Sequence, residues 1–164
     1  MACALVCCAI CWFVNCGLPN EGSVSIDKSG RDQDEEIVKE IALRDLLKSV
    51  PPEAVCGIEY YDKNSEDYKD PTNEFLSRFA DLKITLRRAS EIQQAAEPPY
   101  KLFDPVTQRP ALLVRVIIDS WSHNQVVQVK YFHLGGARGS QGYSATLTPS
   151  NGQWKIIERH RLKF

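Results

Sequence analysis

The segment that most clearly indicates the fold is residues 111–161, ALLVRVIIDSWSHNQVVQVKYFHLGGARGSQGYSATLTPSNGQWKIIERHR. Four runs within it alternate between apolar and polar residues, and turn-forming residues separate them. These runs lie at about residues 111–119, 125–133, 141–148 and 153–162. Such alternation is typical of strands that bury one face. Asn151-Gly152 between the last two runs is the strongest short-range signal for a hairpin. The stretch therefore predicts an antiparallel meander of four strands.

The apolar side of this meander needs a cover, because an antiparallel sheet of this kind buries one face and solvates the other. The side chains assigned to the buried face are Leu112, Val114, Val116, Ile118, Val127, Val129, Tyr131, Tyr143, Ala145, Leu147, Trp154 and Ile156. An amphipathic helix at about residues 34–49 supplies the cover. Asp32 and Glu35 resemble a capping box at its start, and Pro51 ends it. The expected fold is α+β, with an N-terminal helix packed on a curved antiparallel sheet that ends in the four-stranded meander.

Weaker patterns lie between the helix and the meander. Alternating apolar residues predict a strand at about residues 54–61, in which Cys56 is a small buried residue. Asp70-Pro71 predicts the start of a short second helix. Residues 83–88 alternate like an edge strand, and residues 89–110, with four prolines, predict a long connection.

An apolar leader precedes the domain. Residues 2–14 carry no charged side chain, and five of the six cysteines lie within the first sixteen residues. Thirteen apolar residues are fewer than the roughly 20 that cross a membrane as a helix, but they suit the core of a secretory signal. Small residues at Val14 and Cys16 indicate cleavage before Gly17. We therefore expect residues 1–16 to be a signal peptide.

Other interpretations of the leader stay open, because no Lys or Arg precedes Lys28. Cys16 is a candidate lipidation site if the leader is a lipoprotein signal, and an uncleaved, palmitoylated leader would anchor the chain in a membrane. The leader could also be a buried element of the domain. Residues 17–31 predict a flexible tether and residues 32–164 a single α+β domain. The expected localisation is exported: periplasmic, extracellular or membrane-tethered.

Charge is divided unevenly along the chain. Residues 17–100 carry 18 acidic and 11 basic side chains, whereas residues 101–164 carry 3 acidic and 9 basic ones. Attraction between the two halves within one small domain is the simplest interpretation, and two oppositely charged binding faces are the alternative. The basic residues have no interleaved aromatic side chains, so nucleic acid is not expected as a partner.

One group of side chains could carry chemistry. His133, Tyr143, Glu158 and His160 all fall on the predicted buried face, close to strand ends. Two imidazoles and a carboxylate can perform acid–base catalysis near neutral pH, which makes His133, Glu158 and His160 the catalytic candidates. The alternative is that Glu158 and His160 mark the point where the last strand leaves the core. Tyr143 and Trp121 are the candidate ligand-binding residues.

Metal and cofactor signals are weak. Two histidines and a glutamate could hold a metal, but no HExxH-like spacing supports such a site, so no metal and no cofactor are predicted. The glycine-rich segment at residues 135–142 lacks the Gly-Lys-Ser/Thr ending of a phosphate loop and predicts a flexible hairpin. The acidic segment at residues 62–70 lacks the spacing of a calcium loop and is expected to be solvated.

The order of elements and the ending NGQWKIIE resemble the cystatin-like and nuclear-transport-factor-2-like cone folds. The segments EFLSRFADLKITLRRASE, RPALLVRV and GYSATLTPSNGQWKIIE are also similar to small uncharacterised bacterial exported proteins. The resemblance covers about residues 50–160 and implies architecture. Cone folds host isomerases, dehydratases and binding modules, and no catalytic residue set is carried over from them.

The sequence is therefore compatible with three functions. The first is an exported, non-enzymatic protein that binds an unknown protein or small ligand and has an accessory or immunity-type role. The second is a cone-fold enzyme with a small-molecule pocket and His/Glu acid–base chemistry. The third is a structural surface protein tethered to a membrane through its N-terminus.

Overall fold

The computed structural model describes residues 28–96, 101–122, 125–135 and 139–164. Its elements are helix α1 (Lys28–Leu47), strands β1 (Val55–Asp62) and β2 (Asp67–Lys69), helix α2 (Asn73–Ser77), strand β3 (Thr85–Arg88), a 3₁₀ turn (Ala89–Glu91), and strands β4 (Gln93–Gln94), β5 (Leu102–Phe103), β6 (Ala111–Trp121), β7 (Val127–Leu134), β8 (Gln141–Ser150) and β9 (Gln153–Arg161). The predicted leader and the tether up to residue 27 lie outside the described residues. In the described part of the chain, neither helix is long and apolar enough to cross a membrane.

Most strands form one mixed sheet of seven strands in the order β2-β1-β6-β7-β8-β9, with β3 also paired to β1. Strands β6 to β9 are an antiparallel meander, which confirms the central prediction. The expectation of a wholly antiparallel sheet is wrong, because β1 runs parallel to both β3 and β6. Residues 63–110 separate β1 from β6, and a connection of that length can return the chain to the end of the sheet where β1 began.

Helix α1 covers one face of the sheet, called here the helix face, and packs against β6, β7, β8 and β9. Its core-facing residues Val38, Leu43 and Leu46 are 0% exposed. Each such side chain contributes about 1.5–3 kcal/mol by leaving water. Every side chain assigned to the buried side of the meander lies in this core or packs against it. The predicted helix and the predicted buried side of the meander are therefore confirmed, and they form one continuous core.

The start of α1 differs from the prediction. The helix begins at Lys28, so residues 28–31, assigned to the tether, are helical, and no acidic residue lies in the first turn. The capping-box interpretation of Asp32 is therefore wrong. The first turns are held by tertiary contacts instead: the Arg31 guanidinium lies 5.4 Å from the Trp121 ring centroid, and Asp34 accepts a hydrogen bond of 2.9 Å from the Trp154 indole.

The second helix also starts later than expected. Pro71 precedes α2, and Thr72 is the N-cap, whose hydroxyl accepts a hydrogen bond of 3.1 Å from the Phe75 amide. The helix therefore begins after Thr72 and not at Pro71, because the threonine hydroxyl accepts a hydrogen bond from an amide that has no partner within the helix. Residues 83–88 contain the predicted strand as β3, and the connection after it contains the short β4–β5 pair.

Two local predictions in the strands are confirmed. Asn151 and Gly152 both have positive φ angles, 52° and 72°, as a two-residue turn between β8 and β9 requires. Cys56 is 0% exposed within β1, and burial raises the pKa of its thiol to about 12. The thiol therefore stays protonated at neutral pH and packs as a small apolar residue.

Candidate functional site

The His133 cavity, of about 330 Å³, lies at the end of the helix face where α1 stops. The turn that follows α1 contributes Val50 and Pro51 to its walls, and the start of β6 contributes Leu112. The polar part of the lining comes from His133 at the end of β7 and Gln141 at the start of β8. An apolar cleft of this size with a few convergent polar groups is the usual form of a small-molecule site.

His133 is the buried polar group of this cavity. It faces the helix side of the sheet, since Val114 and Gln141 are its cross-strand neighbours, and it is only 7% exposed. Its Nδ1 atom is buried and has no hydrogen-bond partner among the described residues. Burial lowers the pKa of the imidazole below its ordinary value of 6.5. The ring is therefore neutral at physiological pH and has an unused hydrogen-bonding position.

Gln141 is oriented by a neighbour on the same strand. Its Nε2 donates a hydrogen bond of 2.7 Å to the Tyr143 hydroxyl. The Tyr143 ring lies 5.8 Å from the Tyr131 ring, and the Arg159 guanidinium lies 4.4 Å from its centroid. Tyr143, predicted to bind a ligand, is not part of the cavity wall. It contacts Gln141, which is.

A polar network fixes the end of α1 above these residues. Asp45 accepts a hydrogen bond of 2.9 Å from the Tyr131 hydroxyl and another of 2.7 Å from Arg159, and Lys48 lies 3.7 Å away. Tyr131 is 0% exposed, and burial together with the Asp45 carboxylate raises the pKa of its hydroxyl. The network joins the last turn of α1 to β7 and β9.

The structure does not bring the three catalytic candidates together. Pairing between β8 and β9 shifts by one residue between Glu158 and Ile156, which leaves Ile157 as a β-bulge. A one-residue slip turns the following side chains to the other face, so Arg159 faces the helix while Glu158 and His160 face away. Glu158 and His160 form an exposed pair at 2.8 Å. The prediction that they share the helix face with His133 is therefore wrong.

Trp121, the other predicted ligand-binding residue, lies far from His133. It lies at the end of β6 opposite Val127, and His133 is six positions further along β7, about 20 Å away at 3.3 Å per residue. Trp121 contacts the Trp154 ring at 5.5 Å and lines a second cleft of about 580 Å³. The two predicted ligand-binding residues therefore do not belong to one site.

The second cleft is lined mainly by charged side chains that already pair with one another. Lys39 lies 3.0 Å from Glu35 and 4.9 Å from the Tyr60 ring centroid, and Lys69 pairs with Asp62. A ligand would have to displace these contacts. Among the described residues, no group of three or more His, Cys, Asp or Glu side chains is placed to hold a metal ion. The His133 cavity is the better candidate site, although it is smaller.

Acidification is expected to weaken the fold through His133. The unfolded chain protonates this imidazole near pH 6.5, whereas the folded state protonates it only at lower pH, so the unfolded state binds more protons in between. Stability should fall as the pH drops below about 6.5 and level off once the lowered pKa is passed. Urea unfolding from about pH 7.5 to pH 5 measures the effect.

A matched pair of variants assigns this loss to His133. In His133→Asn the part of the pH dependence that His133 contributes should disappear. In His160→Asn, which changes an exposed histidine, it should remain. Equal pH profiles for the wild type and His133→Asn would show that burial does not hold His133 neutral.

Comparison with known proteins finds no matching family model, no matching curated protein and no matching solved structure. The resemblance to cystatin-like and nuclear-transport-factor-2-like folds is therefore not confirmed.

Proposed function

We propose that this protein is a binding module that holds a small, largely apolar molecule in the His133 cavity. The observation that carries the proposal is a largely buried, neutral imidazole in the wall of a mostly apolar cavity. A hydrogen bond between a ligand and this imidazole would contribute about 0.5–1.5 kcal/mol. A binding function is favoured over His/Glu catalysis, because Glu158 and His160 face away from this cavity.

The size of the cavity limits the ligand. Liquid water occupies about 30 Å³ per molecule, so a cavity of about 330 Å³ accommodates a ligand of about ten non-hydrogen atoms. The walls contributed by Val50, Ala54 and Leu112 favour an aromatic or branched aliphatic body. Indole has this size and carries one N–H donor, which makes it a suitable probe.

Indole is expected to bind with one-to-one stoichiometry and to shift the NMR signals of Val50, Leu112 and His133. Leu112→Trp, which places a larger side chain in the cavity, should weaken indole binding at least about tenfold, a loss of about 1.4 kcal/mol. Gln128→Trp is the matched control, because Gln128 is exposed on the other face of the sheet and its replacement should leave binding unchanged.

The proposal fails if indole does not bind, or if it binds Leu112→Trp and the wild type equally well. Chemical shifts or circular dichroism of both tryptophan variants show whether each one folds. Binding that responds to Gln128→Trp instead would place the probe on the wrong face of the sheet. Export remains a prediction, because the leader on which it depends lies outside the described residues.

A further inference from the structure

Among the described residues, no charged side chain in the wall of the His133 cavity is buried. Glu53 and Arg109 contribute to the lining, but both are exposed. The Ser49 hydroxyl donates a hydrogen bond of 2.7 Å to the Leu46 carbonyl, so its proton is already used at the end of α1. The other polar side chains of the described part of the lining are the imidazole of His133 and the carboxamide of Gln141.

The described lining residues disfavour a charged ligand, because none of their charges is buried. Moving an ionised carboxylate or ammonium out of water into an apolar site is costly unless an opposite charge and hydrogen bonds compensate for it. Glu53 and Arg109 lie in solvent, where the interaction with a ligand charge is weak. An uncharged polar group has a much smaller desolvation cost, and one or two hydrogen bonds can offset it.

The two polar groups also define which hydrogen bonds a ligand can make. Because the Gln141 Nε2 atom donates to Tyr143, the carboxamide oxygen of Gln141 is left as an acceptor, and no described residue donates to it. The His133 imidazole lines the cavity and can accept or donate a hydrogen bond, depending on the tautomer. His133 and Gln141 are directly opposite each other on β7 and β8, so a single small group can reach both.

We infer that the ligand class of this cavity is an uncharged molecule with an apolar body and one amide-like end, which both donates and accepts hydrogen bonds to Gln141 and His133. This inference rests on the proposed binding function and makes it more specific. It excludes organic anions and amines of the same size as preferred ligands, whereas the binding proposal alone does not.

Four probes of nearly equal size test the inference at about pH 7.5: benzamide, benzoate, benzylamine and toluene. Benzamide should bind at least about tenfold more tightly than benzoate or benzylamine, the difference expected when a buried charge is left without a partner. In His133→Leu, benzamide affinity should fall about tenfold while toluene affinity changes less than about threefold, because toluene makes no hydrogen bond.

The outcomes separate this inference from the binding proposal. If benzoate or benzylamine binds as tightly as benzamide, or if His133→Leu leaves benzamide binding unchanged, the amide class is wrong while the cavity remains a binding site. If neither toluene nor benzamide binds, the binding proposal and the inference both fail. Preference for benzamide, together with its loss in His133→Leu, supports both.

Discussion

Replacing Gly142 with alanine is expected to destabilise the fold by about 3 kcal/mol or more, at the upper end of what overpacking costs. A Cβ atom built on Gly142 would lie 2.2 Å from the Cβ of Phe132 and 2.8 Å from the carbonyl oxygen of Tyr131. One of these contacts is with main chain, and the Phe132 Cβ is fixed to main chain, so neither can move without disturbing the β7–β8 pairing. Urea unfolding at constant pH measures the loss as a lower midpoint.

Gly30→Ala is the matched control for this substitution. Nothing lies within 4 Å of a Cβ atom at Gly30, which is in the helix α1. Alanine should therefore stabilise the protein by up to about 1 kcal/mol through its helix propensity. An unfolding midpoint for Gly142→Ala equal to that of the wild type would contradict the close packing of β7 on β8.

Asp45→Ala is expected to cost about 2–3 kcal/mol, because it removes the acceptor on which the Tyr131 hydroxyl depends. Tyr131 is 0% exposed, so its hydroxyl would be left buried without its Asp45 partner. The ion pair with Arg159 contributes less, since the Arg159 side chain is 44% exposed and solvent screens it. Thermal or urea unfolding gives the free-energy difference.

Asp119→Ala serves as the control, because Asp119 pairs with Lys130 at 3.0 Å where both side chains are 42% exposed. Its loss should change stability by less than about 1 kcal/mol. In a Tyr131→Phe background the cost of Asp45→Ala should shrink by about 1 kcal/mol, the usual value of one hydrogen bond. Equal losses for Asp45→Ala and Asp119→Ala would mean that the buried network does not stabilise the fold.

Much of the fold follows from local pattern. The alternation in residues 111–161 predicts β6 to β9, because a strand that buries one face must place apolar residues at every second position. The Asn151-Gly152 turn and the apolar stripe of α1 are equally local, since each depends on a few neighbouring residues. Strands β6 to β9 agree with the sequence to within two residues at each end, whereas α1 begins six residues earlier than predicted.

The long-range pairing is not encoded in such patterns. The parallel alignment of β1 with β6 depends on the path of residues 63–110, which no short motif specifies. The sequence around Ile157 contains no glycine that would indicate a bulge. The bulge nevertheless places Glu158, Arg159 and His160 on the opposite faces of the sheet from those predicted. Parity counted from Trp154 is correct up to Ile156 and wrong beyond it.

The candidate site shows the same division. His133 was identifiable because it continues the buried parity of β7 past Tyr131. Gln141 was not, because its position opposite His133 depends on the register of the glycine-rich loop between β7 and β8. Val50 and Pro51 join the cavity only because α1 stops above this end of the sheet, and that is a property of the packed fold.

A crystal structure of the protein with benzamide shows whether the His133 cavity binds a small uncharged molecule. Benzamide is expected between Val50 and Leu112, with its amide within hydrogen-bond distance of the His133 imidazole or of the carboxamide oxygen of Gln141. Benzamide in the cleft beside Trp121 instead, or a cavity filled by its own side chains, would show that this cavity is not the binding site.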